Sequence, residues 1–277
     1  MVDPTVAGLA ARCRRARPAE QAIWAYQPRA AAAPRLRLVL FPPVGGGVSC
    51  YSPLIRDLPV DVEAHVVGFD APQPDEALTL TDLARRCLER LPADVRSGDV
   101  PLVLGGWSFG GALAFEAARL CGEEVARVVV VDTPVSAGSR AFDEPSLDGF
   151  AADVLETNGV AVDAEQVAAD PTLANRVEVY RQNLALLRGW TPDAAGPPDV
   201  PVVECRAERR PAERDADAWS RVAEVADVVS WRAGTSTCSV ATTPARCSRR
   251  SGVCGDGGRR AWRNRPGAGG PRVHPVR

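Results

Sequence analysis

From Arg37 onward, short continuous apolar runs alternate with stretches whose apolar residues recur at helical spacing. Arg37-Leu38-Val39-Leu40-Phe41 predicts a buried strand opening into the glycine-rich loop Pro42-Pro43-Val44-Gly45-Gly46-Gly47. Ser52 to Leu58 predicts a helix, and His65 to Asp70 a second strand. Thr79 or Thr81 is placed to cap the next helix, whose apolar residues Leu83, Cys87, Leu88 and Leu91 share one face. A strand at 101–104, a helix at 111–120 and a strand from Arg127 to Val131 complete a β-α-β-α-β run. Valine- and leucine-rich strands separated by helices imply a mostly parallel sheet covered on both faces, an α/β fold.

After Asp132-Thr133-Pro134 the rhythm changes, and the next strand-like run is Val200 to Cys205. Between them Leu147, Phe150, Val154 and Leu155 form one amphipathic stretch, and Val177, Tyr180, Leu184 and Leu187 form another. A helical insertion between two strands of such a sheet predicts a lid, at about 136–198, over the strand ends where ligands bind.

Composition adds little to this picture until the end of the chain. At 277 residues, with 45% hydrophobic and 25% charged residues, the sequence predicts one sizeable soluble domain. No run is long and apolar enough for a membrane span or a signal peptide. The eight cysteines include no C-x-x-C pair and several lie in apolar periodic segments, so a reduced, cytoplasmic protein is expected. Charge is uneven: residues 230–277 carry ten of the 33 basic residues, all arginine, and one of the 35 acids, Asp256. That tail differs in kind from 36–229, the expected catalytic domain, and from the N-terminal segment 1–35.

The chemistry concentrates at Gly105-Gly106-Trp107-Ser108-Phe109-Gly110-Gly111, a Gly-x-Ser-x-Gly pattern between a strand and a helix. Such a turn exposes the serine hydroxyl at the strand end, and its glycines let strand and helix cross closely. A serine nucleophile needs a base, a group to orient the base, and N–H donors for the oxyanion. Phe109, at the start of its helix, supplies one donor. Val44 is the second, because Pro42 and Pro43 have no N–H. Asp132 closes the strand beside the nucleophile strand and fits the acid role in the Ser, acid, His order of an α/β-hydrolase. No cofactor and no metal are expected.

The segments 41–46, 105–111 and 131–132 resemble the type I thioesterase domains that release products from nonribosomal peptide and polyketide synthases. The likeness runs from about residue 36 to 229, lid included. It implies Ser108 as the acylated nucleophile and Asp132 as the triad acid. The acyl thioester would arrive on the phosphopantetheine arm of an acyl or peptidyl carrier protein and leave by hydrolysis or cyclisation. A type II editing thioesterase, a general esterase, and a hydrolase-fold protein without activity are the alternatives.

The resemblance also implies a histidine in a Gly-x-His-Phe segment after the last strand, and here the chain departs from it. Its two histidines are His65, read as a strand-end or surface residue, and His274, in a Gly/Pro/Arg-rich tail. Neither is expected to be the base. Ala233 to Ser239 can be encoded GCG GGC ACT TCA ACA TGT TCA, and the same bases read two nucleotides later give Gly-His-Phe-Asn-Met-Phe. Continued through Thr243 to Arg250, the shift permits His-Ala-Arg-Ala-Val-Phe-Ala-Ala, a closing helix. A change of reading frame near Val229 or Ser230 is therefore expected. The other reading is a basic disordered tail; arginines alone are no nucleic-acid code, and no nucleic acid is expected as partner.

Overall fold

A computed structural model describes residues 23–73, 78–96, 99–135, 147–158, 161–192, 200–207, 218–231 and 241–242. Among the described residues, eight strands form one sheet in the order β1-β3-β2-β4-β5-β6-β7-β8. They are β1 (Ile23–Arg29), β2 (Leu36–Phe41), β3 (Val62–Phe69), β4 (Leu102–Trp107), β5 (Val125–Val131), β6 (Val202–Ala207), β7 (Val225–Trp231) and β8 (Ala241–Thr242). Strands β2 to β7 are parallel to their neighbours, whereas β1 and β8 pair antiparallel. The sheet therefore reaches past residues 36–229 at both ends. At the β1 edge Trp24 donates its indole N–H to Asp70 Oδ1 at 3.0 Å.

The helices are α1 (Ser52–Asp57), α2 (Leu80–Arg90), α3 (Ala93–Arg96), α4 (Phe109–Cys121), α5 (Leu147–Asn158), α6 (Ala164–Ala169), α7 (Pro171–Gly189) and α8 (Ala218–Val222). Of the two threonines proposed as caps, Thr79 caps α2: its hydroxyl accepts from Asp82 N–H, and the Asp82 carboxylate accepts from Thr79 N–H. The same reciprocal box, Asp163 with Gln166, starts α6.

One face of the sheet carries the larger core, with Val39, Phe41, Leu104, Val128 and Val130 against Leu83, Leu113 and Phe115. Helix α4 is buried along most of its length, with Phe109 to Ala118 all buried, because it crosses the middle strands. The opposite face packs Leu38, Leu40, Val66 and Val103 around Tyr51. Helices α5, α6 and α7 occupy the expected lid region and share a smaller core of Phe150, Val154, Val177, Tyr180 and Leu184. An open cavity of about 630 Å³ lies among them, lined by Val154, Val162, Leu173 and Arg176 among others. Among the described residues, no helix is long and apolar enough to cross a membrane.

Candidate active site

The parallel register sets the site. Phe41 pairs with Gly106, and Trp107 pairs with Val131, so β2, β4 and β5 end side by side. The next residues, the 42–47 loop, Ser108 and Asp132, therefore emerge at one edge of the sheet.

Ser108 is the sharp turn that the glycine pattern predicted. Its φ is 54° and ψ −119°, a conformation costly for a residue with a Cβ and maintained only where surroundings over-determine it. Two hydrogen bonds do so: Ser108 N–H donates to Val131 C=O at 2.8 Å, and Gly111 N–H donates to Ser108 C=O at 3.1 Å. The crossing of strand and helix explains the glycines, since a Cβ on Gly106 would collide with the Gly110 backbone, and one on Gly110 with Phe41 C=O. The Ser108 side chain makes no capping hydrogen bond to α4.

Asp132 sits directly beyond β5, 7% exposed, with φ 46°. Its N–H donates to Cys205 C=O at 2.9 Å, which ties the turn to β6. The following residue is held as well, because the Trp219 indole N–H donates to Thr133 C=O at 2.9 Å. The structure thus places the proposed acid beside the proposed nucleophile, each in a left-handed backbone conformation at its strand end.

Phe109 is the first residue of α4, and its N–H belongs to the first turn, where the helix itself offers no acceptor. Val44 lies in the loop that leaves β2. Its carbonyl accepts from Asn183 Nδ2 at 2.8 Å, while its own N–H donates to no described group. Tyr51 ties this loop to the elbow: its hydroxyl donates to Phe41 C=O at 2.6 Å and accepts from Trp107 N–H at 2.8 Å. Burial pushes the Tyr51 phenol far above its ordinary pKa, so it stays a neutral hydroxyl. Tyr51, Asn183 and Trp219 were not singled out from the sequence, and each acts on a backbone group far away in the chain.

The structure corrects the expectation for His65. It lies inside β3, which begins at Val62, and is 3% exposed rather than at a strand end or the surface. Its Nε2 is 2.8 Å from Glu63 Oε1, and Arg37 Nε lies 3.3 Å from the same carboxylate. Glu63 is buried with two polar partners, the His65 imidazole and the Arg37 guanidinium, and these polar residues hid the start of β3 from an apolar-run reading. His274 and the segment 233–239 lie outside the described residues, as do the basic tail and its arginines. No cluster of three His, Cys, Asp or Glu side chains able to hold a metal occurs among the described residues.

A mostly parallel sheet flanked by helices, a serine elbow after β4 and an acid after β5 together define a serine hydrolase of the α/β-hydrolase fold. The family model "Thioesterase domain" matches residues 36–240, and the chain belongs to that family. Thioesterase AMT4 of Alternaria alternata is 36% identical over 120 residues, covering 40% of this chain and 43% of that protein. The conidial pigment polyketide synthase alb1 of Aspergillus fumigatus is 35% identical over 108 residues, 37% of this chain and 5% of that one. The chain thus spans less than half the length of these curated relatives. Among solved structures, the NocB thioesterase domain in covalent complex with a fluorophosphonate nocardicin G analogue is 27% identical. It superposes with a TM-score of 0.55 over 76% of this chain and 89% of that one.

Proposed function

We propose that this thioesterase takes its acyl chain from the phosphopantetheine thiol of a carrier protein and releases it through an ester on Ser108. Ser108 Oγ attacks the thioester carbonyl carbon as its hydroxyl proton passes to solvent. The carbonyl oxygen becomes an oxyanion facing Val44 N–H and Phe109 N–H, and collapse expels the thiolate, which takes up a proton. Water or a nucleophile within the acyl chain then attacks the ester carbonyl and gives up its proton, and the bond to Ser108 Oγ breaks as that oxygen is reprotonated. The cavity among α5, α6 and α7 is where the acyl chain lies. The observation that carries this reading is the strained Ser108 turn held level with Asp132 by Val131 C=O.

Two features support a carrier-bound substrate: the relatedness to domains of polyketide synthases, and the thioesterase identity of the family. The proposal includes that this chain fires its serine slowly. His65, the one histidine among the described residues, is paired with Glu63, and the Gly-His-Phe reading of the tail lies in another frame, so no described imidazole serves as the base. Triad hydrolases lacking one member keep only the part of catalysis, about 10³- to 10⁴-fold over water, that binding and the oxyanion donors supply.

Turnover of an acyl group on a phosphopantetheinylated carrier, compared with the same acyl group on N-acetylcysteamine and as an ethyl ester, tests the substrate class. Preference for the carrier-bound thioester is expected. Equal rates on all three would identify a general esterase instead. Sequencing the gene across residues 229–250 tests the frame, because codons incompatible with the shifted reading would refute it.

A further inference from the structure

We infer that Asn183, on the lid helix α7, is a positioning residue that selects the orientation of the oxyanion loop, an inference that rests on the proposed role of Val44. Gly46 N–H donates to Pro43 C=O at 2.9 Å, which closes a β-turn with Val44 and Gly45 at its centre. The central peptide of a β-turn, here Val44 C=O and Gly45 N–H, distinguishes type I from type II, and the two are related by a flip of that unit. Type II needs positive φ at its third residue, which glycine supplies at no steric cost. Gly45 holds that position, so the sequence leaves both orientations open. In the structure Gly45 is not at positive φ, and Asn183 Nδ2 donates to Val44 C=O at 2.8 Å. The bond fixes the peptide that could otherwise turn its carbonyl toward the developing oxyanion.

Asn183 is able to do this because α7 is anchored rather than mobile at this point. Asn183 is 1% exposed. Its neighbour Gln182 makes a paired amide contact with Gln73, accepting from its N–H at 2.7 Å and donating to its C=O at 2.8 Å. Val179, one turn earlier, fills the space over Gly46, where a Cβ would stand 2.9 Å from Val179 Cγ1 and where φ is +77°. The C-terminal end of α7 is fixed by Trp190, whose indole N–H donates to Glu116 Oε1 at 2.8 Å on the nucleophile helix. The third helix of the lid is thus a strut of the oxyanion loop, and Val44 also packs against the small core that α5 and α7 share.

The test uses the full chain with N183L and N183D, which lose the donor, and two readouts. The first is phosphonylation of Ser108 by an alkyl fluorophosphonate, separated into the binding constant and the limiting rate. The limiting rate is expected to fall about tenfold to a hundredfold in N183L, with the binding constant changed by less than about twofold. N183D is expected to fall equally at about pH 8 and to recover relative to wild type near about pH 4, where the acid regains an O–H donor. The second readout is amide hydrogen exchange, which needs no reactive serine. Gly45 to Gly47 are expected to exchange at least about tenfold faster in N183L while β4 amides are unchanged. An unchanged limiting rate, or unchanged loop exchange, overturns the assignment. If wild-type Ser108 takes no phosphonate at all, the nucleophile reading fails, and the exchange readout alone decides the role of Asn183.

Discussion

The two flanks of Ser108 are built to different degrees of completeness. On the oxyanion flank, β2 ends in a loop gripped from three directions: Tyr51 beneath it, Val179 over Gly46, and Asn183 on the Val44 carbonyl. On the acid flank, Asp132 and Thr133 are tied by Cys205 C=O and Trp219, but the described residues supply no imidazole beyond β7. The contrast has a simple origin. The oxyanion flank comes from residues 41–51 and the lid helix, all upstream of the tail, whereas the resemblance to type I thioesterase domains implies a base from beyond the last strand. A change of frame near Ser230 would remove the base and leave every other catalytic group standing.

The sharpest way to break this contrast is to complete the poorer flank. Expressing the gene with the shifted reading after Ser230 is expected to raise the first-order rate of thioester hydrolysis by about 10⁴-fold, measured in single turnover. No rise would show that the deficit lies elsewhere. Next in size is the anchor of the richer flank. Glu116 is buried and accepts from Trp190, Thr81 and Arg119, so E116A leaves the Arg119 guanidinium without its carboxylate. A loss of about 3–5 kcal/mol in urea unfolding is expected, with faster exchange at the end of α7. A loss below about 1 kcal/mol would contradict the strut role of α7.

Y51F removes one hydroxyl that satisfies two buried backbone groups, Phe41 C=O and Trp107 N–H. A cost of about 1–3 kcal/mol is expected, together with a slower Ser108 phosphonylation. The smallest effect lies away from both flanks and calibrates them. T79A removes the α2 cap at a cost of about 1 kcal/mol at neutral pH, with no change in phosphonylation. The Thr79 hydroxyl, helped by Arg85, holds the exposed Asp82 carboxylate below its usual range. Asp82 in the folded chain therefore contributes stability above the unfolded carboxylate pKa of about 3.9 and loses it as pH falls through its lower folded value. The T79A deficit should shrink in urea titrations near about pH 3.

These contrasts also show what the sequence could disclose. The positions of the serine turn, the loop after β2 and the aspartate after β5 were legible because each is a local pattern: glycines at fixed offsets, prolines without N–H groups, an aspartate at a strand end. Strand β1 was not, since Trp24-Ala25-Tyr26-Gln27 lies on an antiparallel edge and is only partly buried, without a continuous apolar run. Helix α6 escaped notice because it is short and exposed, although Asp163 and Gln166 carry its capping box. The side chains that hold the site were illegible for another reason. Asn183 and Trp219 look like ordinary helix residues, and what they bond is backbone 139 and 86 positions away. A backbone acceptor leaves no mark in the sequence.

The central claim is that Ser108 is an assembled nucleophile without a resident base. Phosphonylation of the chain as it stands, followed by peptide mass mapping across about pH 6 to about pH 9, tests it most directly. The account predicts a single adduct on Ser108, absent in S108A, forming about tenfold faster for each pH unit because only solvent takes the proton. An adduct elsewhere, or a rate that levels off near about pH 7 as an imidazole titrates, would contradict it.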